Sequence, residues 1–371
     1  MRRLRRLPIK VLDLYLVREF VYSYVVSVLI LLSLYVVLDL FAYIDEFTEG
    51  QASTRQVIMD ILSYYGYHSF LYFAQVAGMI TLVAACFTLA RLYHGNELTA
   101  VLAGGISLYR VALPIILMGL VFNALWIIDQ ELIIPRIADK LVLGHDEARG
   151  KRAFELYFLR DRDNRLLSAM KYQPETQTME QVIVMERDKE GNFSGKISAD
   201  AAVFDPAEQV WKLSRGIHDA PDTAEAFVVT GKARHQRVDQ YRSDWLPSDL
   251  LLRQSIVWTW LLSTQQLSAL LKKPHLIPDL GEVTAARHVR FTQPLVNILL
   301  LLLGLPFFLN REPHNVLLAV GLCLLLAILC FMLTFVSQNL ASTSAYPAFT
   351  AWLPIVVFVP VATYLFQNVK T

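Results

Sequence analysis

The sequence predicts a membrane α-helical protein: six transmembrane helices, three before and three after an inserted all-β domain. Three observations carry this reading. The chain has 371 residues, 55% hydrophobic and 18% charged, with a mean hydropathy of +0.41. That excludes an ordinary soluble domain, and so many apolar residues exclude a disordered one. The charges are segregated: residues 129–290 hold 23 Lys/Arg and 24 Asp/Glu, leaving 20 charges for the other 209 residues. Finally, charge-free runs approaching the ~20 residues that a helix needs to cross ~30 Å of hydrocarbon occur three times before Asp129 and at least twice after Arg290.

In chain order, the first three spans are Phe20 to Leu38, a stretch within Ile61 to Ala90, and Val111 to Ile128. Phe291 to Asn310 is the fourth. Pro313 to Val369 has no Asp, Glu, Lys or Arg and is too long for one crossing. Its polar middle, Ser337 to Pro347, is a turn between Asn315 to Val336 and Phe349 to Phe366. The basic N-terminus (Arg2, Arg3, Arg5, Arg6, Lys10) suits a signal anchor, because the apolar run after it exceeds the ~7–15 residues of a cleaved signal. Ser255 to Leu271 is uncharged but polar at its centre. The capping-box spacing of Ser263 and Gln266 makes it the start of a short amphipathic helix.

Lys and Arg flanking the spans give the orientation. The N-terminal segment, Arg91 and Arg110, Arg311 and Lys370 all fall on one side, expected to be cytoplasmic, and the acidic loop Asp39 to Asp60 falls outside. Both termini are then cytoplasmic and the charged insert external. The insert reads as six short antiparallel strands, Phe154–Arg160, Leu166–Lys171, Met179–Arg187, Lys196–Phe204, Val210–Ile217 and Phe227–Val238, with turns at Asp163-Asn164, Glu190-Gly191-Asn192 and Asp205-Pro206. They suggest a small sandwich or open barrel. The expected domains are 1–128, the N-terminal segment and three spans with a turn helix near 94–105; 129–252, the β domain; 253–290, a linker with the amphipathic helix; and 291–371, the last three spans.

Catalytic signatures are missing. There is no His-Glu-x-x-His, Cys-x-x-Cys or Gly-x-Ser-x-Gly. Gly191-Asn-Phe-Ser-Gly-Lys196 fails as a phosphate loop, since its first Gly is one position too close and Ile197 stands where a Mg²⁺-binding hydroxyl is required; it reads as a hairpin turn. Three dispersed cysteines, Cys86, Cys323 and Cys330, build no disulfide scaffold, and a net charge of +1 argues against a nucleic-acid partner. His68 is the one ionisable group inside a span, read as interfacial beside Tyr64, Tyr65 and Tyr67 in preference to a proton relay. Energy for transport would come from another subunit.

The turn between the second and third spans, Asn96-Glu97-Leu98-Thr99-Ala100-Val101-Leu102-Ala103-Gly104-Gly105-Ile106-Ser107, resembles the Asn-Glu-[Leu/Ile]-x-Ala-x-x-x-x-Gly-[Ile/Val]-Ser pattern of the LptF/LptG permease family. Val11-Leu12-Asp13-x-Tyr15 is similar to the family's opening, closer to the LptG half. Ala199, Ala202, Trp211, Leu213 and Gly216 resemble its periplasmic pattern. Leu267-Ser-Ala-Leu-Leu271, Arg290-Phe-Thr-Gln-Pro-Leu295, Leu305-Pro306-Phe307 and Ala351-Trp352-Leu353-Pro354 match further positions, so the likeness covers nearly the whole chain.

The resemblance implies a bacterial inner-membrane permease subunit, not itself an enzyme, of an ABC exporter of lipopolysaccharide or a related glycolipid. It binds no cofactor, ATP being used by an LptB-like ATPase dimer that docks on the turn helix through Glu97, Leu98 and Gly105. A homologous six-span partner completes the path, with lipid entering between first and fifth spans. The insert becomes a periplasmic jelly roll that hands lipid to LptC/LptA-like β proteins. At the outer end of the first span, where the LptG pattern has phosphate-binding lysines, this chain has Asp39, Asp45 and Glu46. Arg287 and Arg290, at the mouth of the fourth span, are candidates for headgroup contact or for interfacial anchoring. A membrane-anchored scaffold with an external β domain, and an intramembrane lipid-modifying enzyme, remain as alternatives.

Overall fold

The computed structural model describes residues 11–48, 53–142, 153–188, 190–220, 234–247, 249–250, 258–274, 279–309, 316–344 and 346–367. Among the described residues six helices are long and apolar enough to cross a membrane. They are α1 (Val11–Thr48), α2 (Thr54–His94), α4 (Leu108–Ile128), α8 (Leu280–Gly304), α9 (Val316–Thr343) and α10 (Pro347–Gln367), with the short α3 (Glu97–Ala103) between α2 and α4 and the short α5 (Ala138–Leu141), α6 (Trp258–Leu261) and α7 (Thr264–Leu270) between α4 and α8. The first two exceed their apolar runs because helix continues through flanking polar residues, where no proline or capping signal stops it. His68 lies inside α2, buried and in ring contact with Tyr72. The chain divides into two units: residues 1–44, 65–135 and 284–371 in one, 45–64 and 136–283 in the other.

In the first unit the helices share one apolar core running from Leu16 and Phe20 through Ile80, Leu89, Leu108 and Ile115 to Leu301 and Cys323. Tyr24 stacks on Phe122 at 3.5 Å, joining α1 to α4. Trp126 donates its indole N–H to the carbonyl of Ala74, 2.8 Å, joining α4 to α2. Cys86 and Cys323, both free thiols, approach to 3.4 Å between α2 and α9. A ladder of amides runs through the bundle: Gln338 donates to Gln293, Gln293 to Asn297, Asn297 to Asn123, and Asn123 to the carbonyl of Pro294. In an apolar surrounding each of these groups must find its partner within the protein.

The second unit contains the all-β insert. Its strands are β1 (Phe154–Arg160), β2 (Leu166–Gln173), β3 (Thr178–Arg187), β4 (Phe193–Asp205), β5 (Val210–Ser214), β6 (Ile217–Ala220), β7 (Arg234–Arg237) and β8 (Gln240–Tyr241). All pairings are antiparallel, with β5 and β6 in one continuous register along β4. The expected fifth strand is therefore present but interrupted at Arg215-Gly216. Of the expected sixth, residues 227–233 lie outside the described residues.

The interruption belongs to a crease across the sheet. The registers align Met170, Gln181, Asp200 and Arg215 in one row. Gln181 and Arg215 have positive φ, 51° and 54°, as does Phe158 on β1, 45°. Along this row the inward side chains change parity: Leu167 and Ala169 give way to Tyr172 on β2, Val184 and Val182 to Met179 on β3, and Ile197 and Ala199 to Ala202 on β4. Bulge-like backbone of this kind bends strands and lets a sheet turn over its own face. The sheet closes on one core of Leu156, Leu167, Tyr172, Met179, Val184, Trp211, Tyr241 and Trp245. Gly216 is required at the crease, since a Cβ there would fall 2.0 Å from the carbonyl oxygen of Val238.

A buried carboxylate closes the end of this core. Asp161 accepts from the hydroxyl of Tyr241 (2.7 Å), the hydroxyl of Ser243, the backbone N–H of Asp244 (2.9 Å) and the N–H of Arg162 (2.7 Å). Asp161→Ala is expected to cost about 2–4 kcal/mol by orphaning these donors, against about 1 kcal/mol for Tyr241→Phe. Hydrogen-exchange protection over residues 234–247 reads both. Burial also pushes the Tyr172 phenol up to about 12 from its ordinary 10.0. The unfolded chain therefore releases that proton first, and stability is expected to be intact below pH 10 and to fall by up to ~2–3 kcal/mol between pH 10 and 12, measured by alkaline unfolding of the β domain.

Candidate functional site

The turn between α2 and α4 forms the expected short helix. Asn96 enters it in the left-handed region at φ 56°, a conformation asparagine tolerates. Leu98 is buried in the core of the bundle, 4% exposed, which seats α3, while Thr99, Ala100, Ala103, Gly104 and Gly105 are exposed. Gly105, at φ 73°, ends the helix. Its N–H bonds the carbonyl of Leu102 and the N–H of Ile106 bonds that of Val101, the paired arrangement of a Schellman termination. Gly105 thus shapes the turn, and Leu98 anchors it.

Glu97 is half-buried, and its Oε2 accepts a hydrogen bond of 2.8 Å from the hydroxyl of Tyr15 on α1. Two ion pairs flank it. Arg110 at the start of α4 holds Asp13 at 2.8 Å, and Arg91 at the end of α2 holds Glu19 at 2.8 Å. Three side chains of the first turns of α1 therefore meet all three helices around the turn. Sequence reading singled out Glu97 but not its donor, which lies 82 positions away.

The expected acidic group at the other end of α1 is divided. Asp39 belongs to the helical unit, where its Oδ2 accepts from the hydroxyls of Tyr65 (2.9 Å) and Tyr72 (3.2 Å) of α2. It pins α1 to α2. The helix is kinked at Tyr43, φ −124°, ψ 20°. Asp45 lies beyond the kink, exposed and in the second unit; the side chain of Glu46 lies outside the described residues. Arg287 on α8 is half-buried. Arg290 is buried at 8% exposed, with the carboxylate of Glu131 as its electrostatic neighbour. Such a guanidinium is stabilised by an opposite charge within the protein, which suits a structural anchor more than an open phosphate contact.

One group was not legible as a site. α4 continues beyond Ile128 into a π-helical turn, Asp129–Ile133, and a 3₁₀ turn, Ile134–Arg136. This carries Asp129 and Gln130 into the protein, 3% and 1% exposed. Neither carboxylate oxygen of Asp129 has a hydrogen-bond partner among the described residues. In sequence Asp129 is the first acid after an apolar run and reads as the edge of the external segment; the inserted π residue that turns it inward leaves no compositional trace. Among the described residues no cluster of His, Cys, Asp or Glu could hold a metal ion.

Among the described residues, six membrane-capable helices in two sets of three, an all-β insert between the sets, and a short acidic helix between the second and third spans define a multi-pass membrane protein. The family model for the lipopolysaccharide export system permease LptF/LptG matches residues 14–368, nearly the whole chain. The chain belongs to that family, and so to the inner-membrane permeases of lipopolysaccharide export. No curated relative matches it. The resemblance to the joint LptF/LptG family is thereby borne out over nearly the whole chain. The periplasmic-type motif falls on the β core, where Ala199, Ala202, Trp211 and Leu213 all point inward.

The geometry of the turn makes a local expectation. Gly105→Ala should destabilise the α3 terminus by about 1 kcal/mol, because a Cβ disfavours φ 73°. That corresponds to roughly fivefold faster amide exchange at Gly105 and Ile106, measured by hydrogen exchange in detergent.

Proposed function

We propose that this chain is one membrane half of an ATP-driven exporter, with α3 as the docking element for a separate LptB-like ATPase dimer and a homologous six-span chain as its partner. The observation that carries the reading is α3 itself, anchored by Leu98, ended by Gly105 and presenting Glu97 beside an exposed face of small residues. A carboxylate at that place suits a charge-assisted bond to a basic groove on the ATPase. The distribution of Lys and Arg supports an orientation with α3 and both termini in the cytoplasm and the β domain in the periplasm.

The lipid would leave the outer leaflet of the inner membrane along α1 and pass to the β domain. There β1 pairs only with β2 among the described residues, so its outer edge suits strand addition by an LptC/LptA-like β protein. The substrate is lipopolysaccharide or a related glycolipid. Asp39 already accepts two tyrosine hydroxyls, so phosphate recognition at this end falls to Arg287, to the partner chain, or to a divalent cation at Asp45 and Glu46. This chain's role is transport and ATP hydrolysis is its partner's.

Glu97→Lys tests the reading. Affinity purification of the tagged chain from its native membrane is expected to retain the six-span partner and lose at least tenfold of the nucleotide-hydrolysing subunit. Undiminished recovery of that subunit would favour a scaffold role.

A further inference from the structure

The three polar contacts at the start of α1 are unlike the rest of that helix. Past its first turns α1 is sparsely packed: only 6% of its most apolar stretch is buried. Charged and hydroxyl side chains tie it to its neighbours at both ends, Asp39 at one and Asp13, Tyr15 and Glu19 at the other. At 100° per residue, Tyr15 and Glu19 share a face while Asp13 lies on the opposite side. Leu16 and Phe20 between them are seated in the core, 1% and 0% exposed. The helix is thus gripped from two sides, by α4 through Arg110 and by α2 and α3 through Arg91 and Glu97.

Of the three contacts, only Tyr15 reaches α3 itself. Apolar surfaces slide past one another at little cost, whereas a hydrogen bond to a carboxylate holds its length within a few tenths of an ångström and weakens steeply off axis. A displacement of Glu97 is therefore delivered to Tyr15 more faithfully than to any apolar neighbour.

We propose that Tyr15 is a positioning residue for energy coupling: its hydroxyl, 2.8 Å from Glu97 Oε2, orients that carboxylate and fastens α3 to α1, so that movement imposed on α3 is passed directly to the first span. The assignment rests on the exporter reading above. Tyr15 is assigned a role that acts through Glu97. Asp13–Arg110 and Glu19–Arg91 hold the flanking helices in register while it does so.

The test uses the complete exporter complex reconstituted in phospholipid vesicles, with purified lipopolysaccharide as the probe and the variants Tyr15→Phe, Glu97→Ala and the double variant. Tyr15→Phe keeps the ring and its packing and removes one oxygen. The expected result is wild-type recovery of the ATPase subunit and basal hydrolysis within twofold of wild type. Lipopolysaccharide-stimulated hydrolysis and lipid released per ATP should each fall at least fivefold. In the fraction of Glu97→Ala complex that still retains the ATPase subunit, the same change should alter the lipid-to-ATP ratio less than twofold, since its acceptor is already gone.

A Tyr15→Phe complex with wild-type stimulation and lipid-to-ATP ratio would overturn the proposal. So would equal loss of basal and stimulated hydrolysis together with loss of bound ATPase, which would make Tyr15 part of the docking surface only. Glu97→Ala separates the two levels. If it leaves ATPase binding intact, the exporter reading itself fails; if it abolishes binding while Tyr15→Phe is silent, only the positioning role falls.

Discussion

A helix in hydrocarbon satisfies its own backbone, but its polar side chains have to find partners within the protein, because lipid offers none. The helical unit is organised around that demand. Asparagine and glutamine side chains of α4, α8 and α9 form a continuous amide ladder. Two tyrosines of α2 enclose Asp39. At the α3 end, two ion pairs and a tyrosine hydroxyl bind α1 to its neighbours. Leucine-rich surfaces pack in many nearly equivalent ways; these polar contacts select one of them. The same demand makes Asp129 conspicuous, since it is enclosed and neither of its carboxylate oxygens meets a donor among the described residues.

The β insert solves a different problem in a different solvent. It has water on its outer face, so its stability comes from folding one sheet over a single apolar core. The crease along Met170, Gln181, Asp200 and Arg215 makes this possible by switching which side chains point inward. Trp211, Tyr172 and Trp245 each bury a large ring while their polar atoms reach backbone carbonyls of Trp245, Pro247 and Arg160. Asp161 then gathers four donors where strand and loop meet.

Much of this was legible in the chain because it rests on local patterns. Charge-free runs marked six spans, and turn residues bounded five of the strands to within a few positions. The capping box placed α7 (Thr264–Leu270), whose Ser263 and Gln266 bond reciprocally. Glu97 stood out through its order relative to Gly105 and Ser107. What could not be read there was non-local or conformational. The crease depends on side chains of any type adopting an unusual φ, as Gln181 and Arg215 do. The inward turn of Asp129 depends on one extra residue in a helical turn. Asp39, Asp45 and Glu46 look alike as a string of acids, yet a kink at Tyr43 and two tyrosines on another helix give Asp39 its own role.

By itself, then, the sequence determined which segments belong to which solvent, because transfer of apolar and charged residues between water and hydrocarbon depends on composition and length alone. It also determined the family, through motifs whose order is covalent. Tertiary structure alone decided which polar groups meet. Tyr15 and Glu97 are 82 residues apart, Asp13 and Arg110 are 97. Whether such pairs lie within 3 Å depends on how helices pack and rotate, a property of the assembled bundle that no single segment encodes.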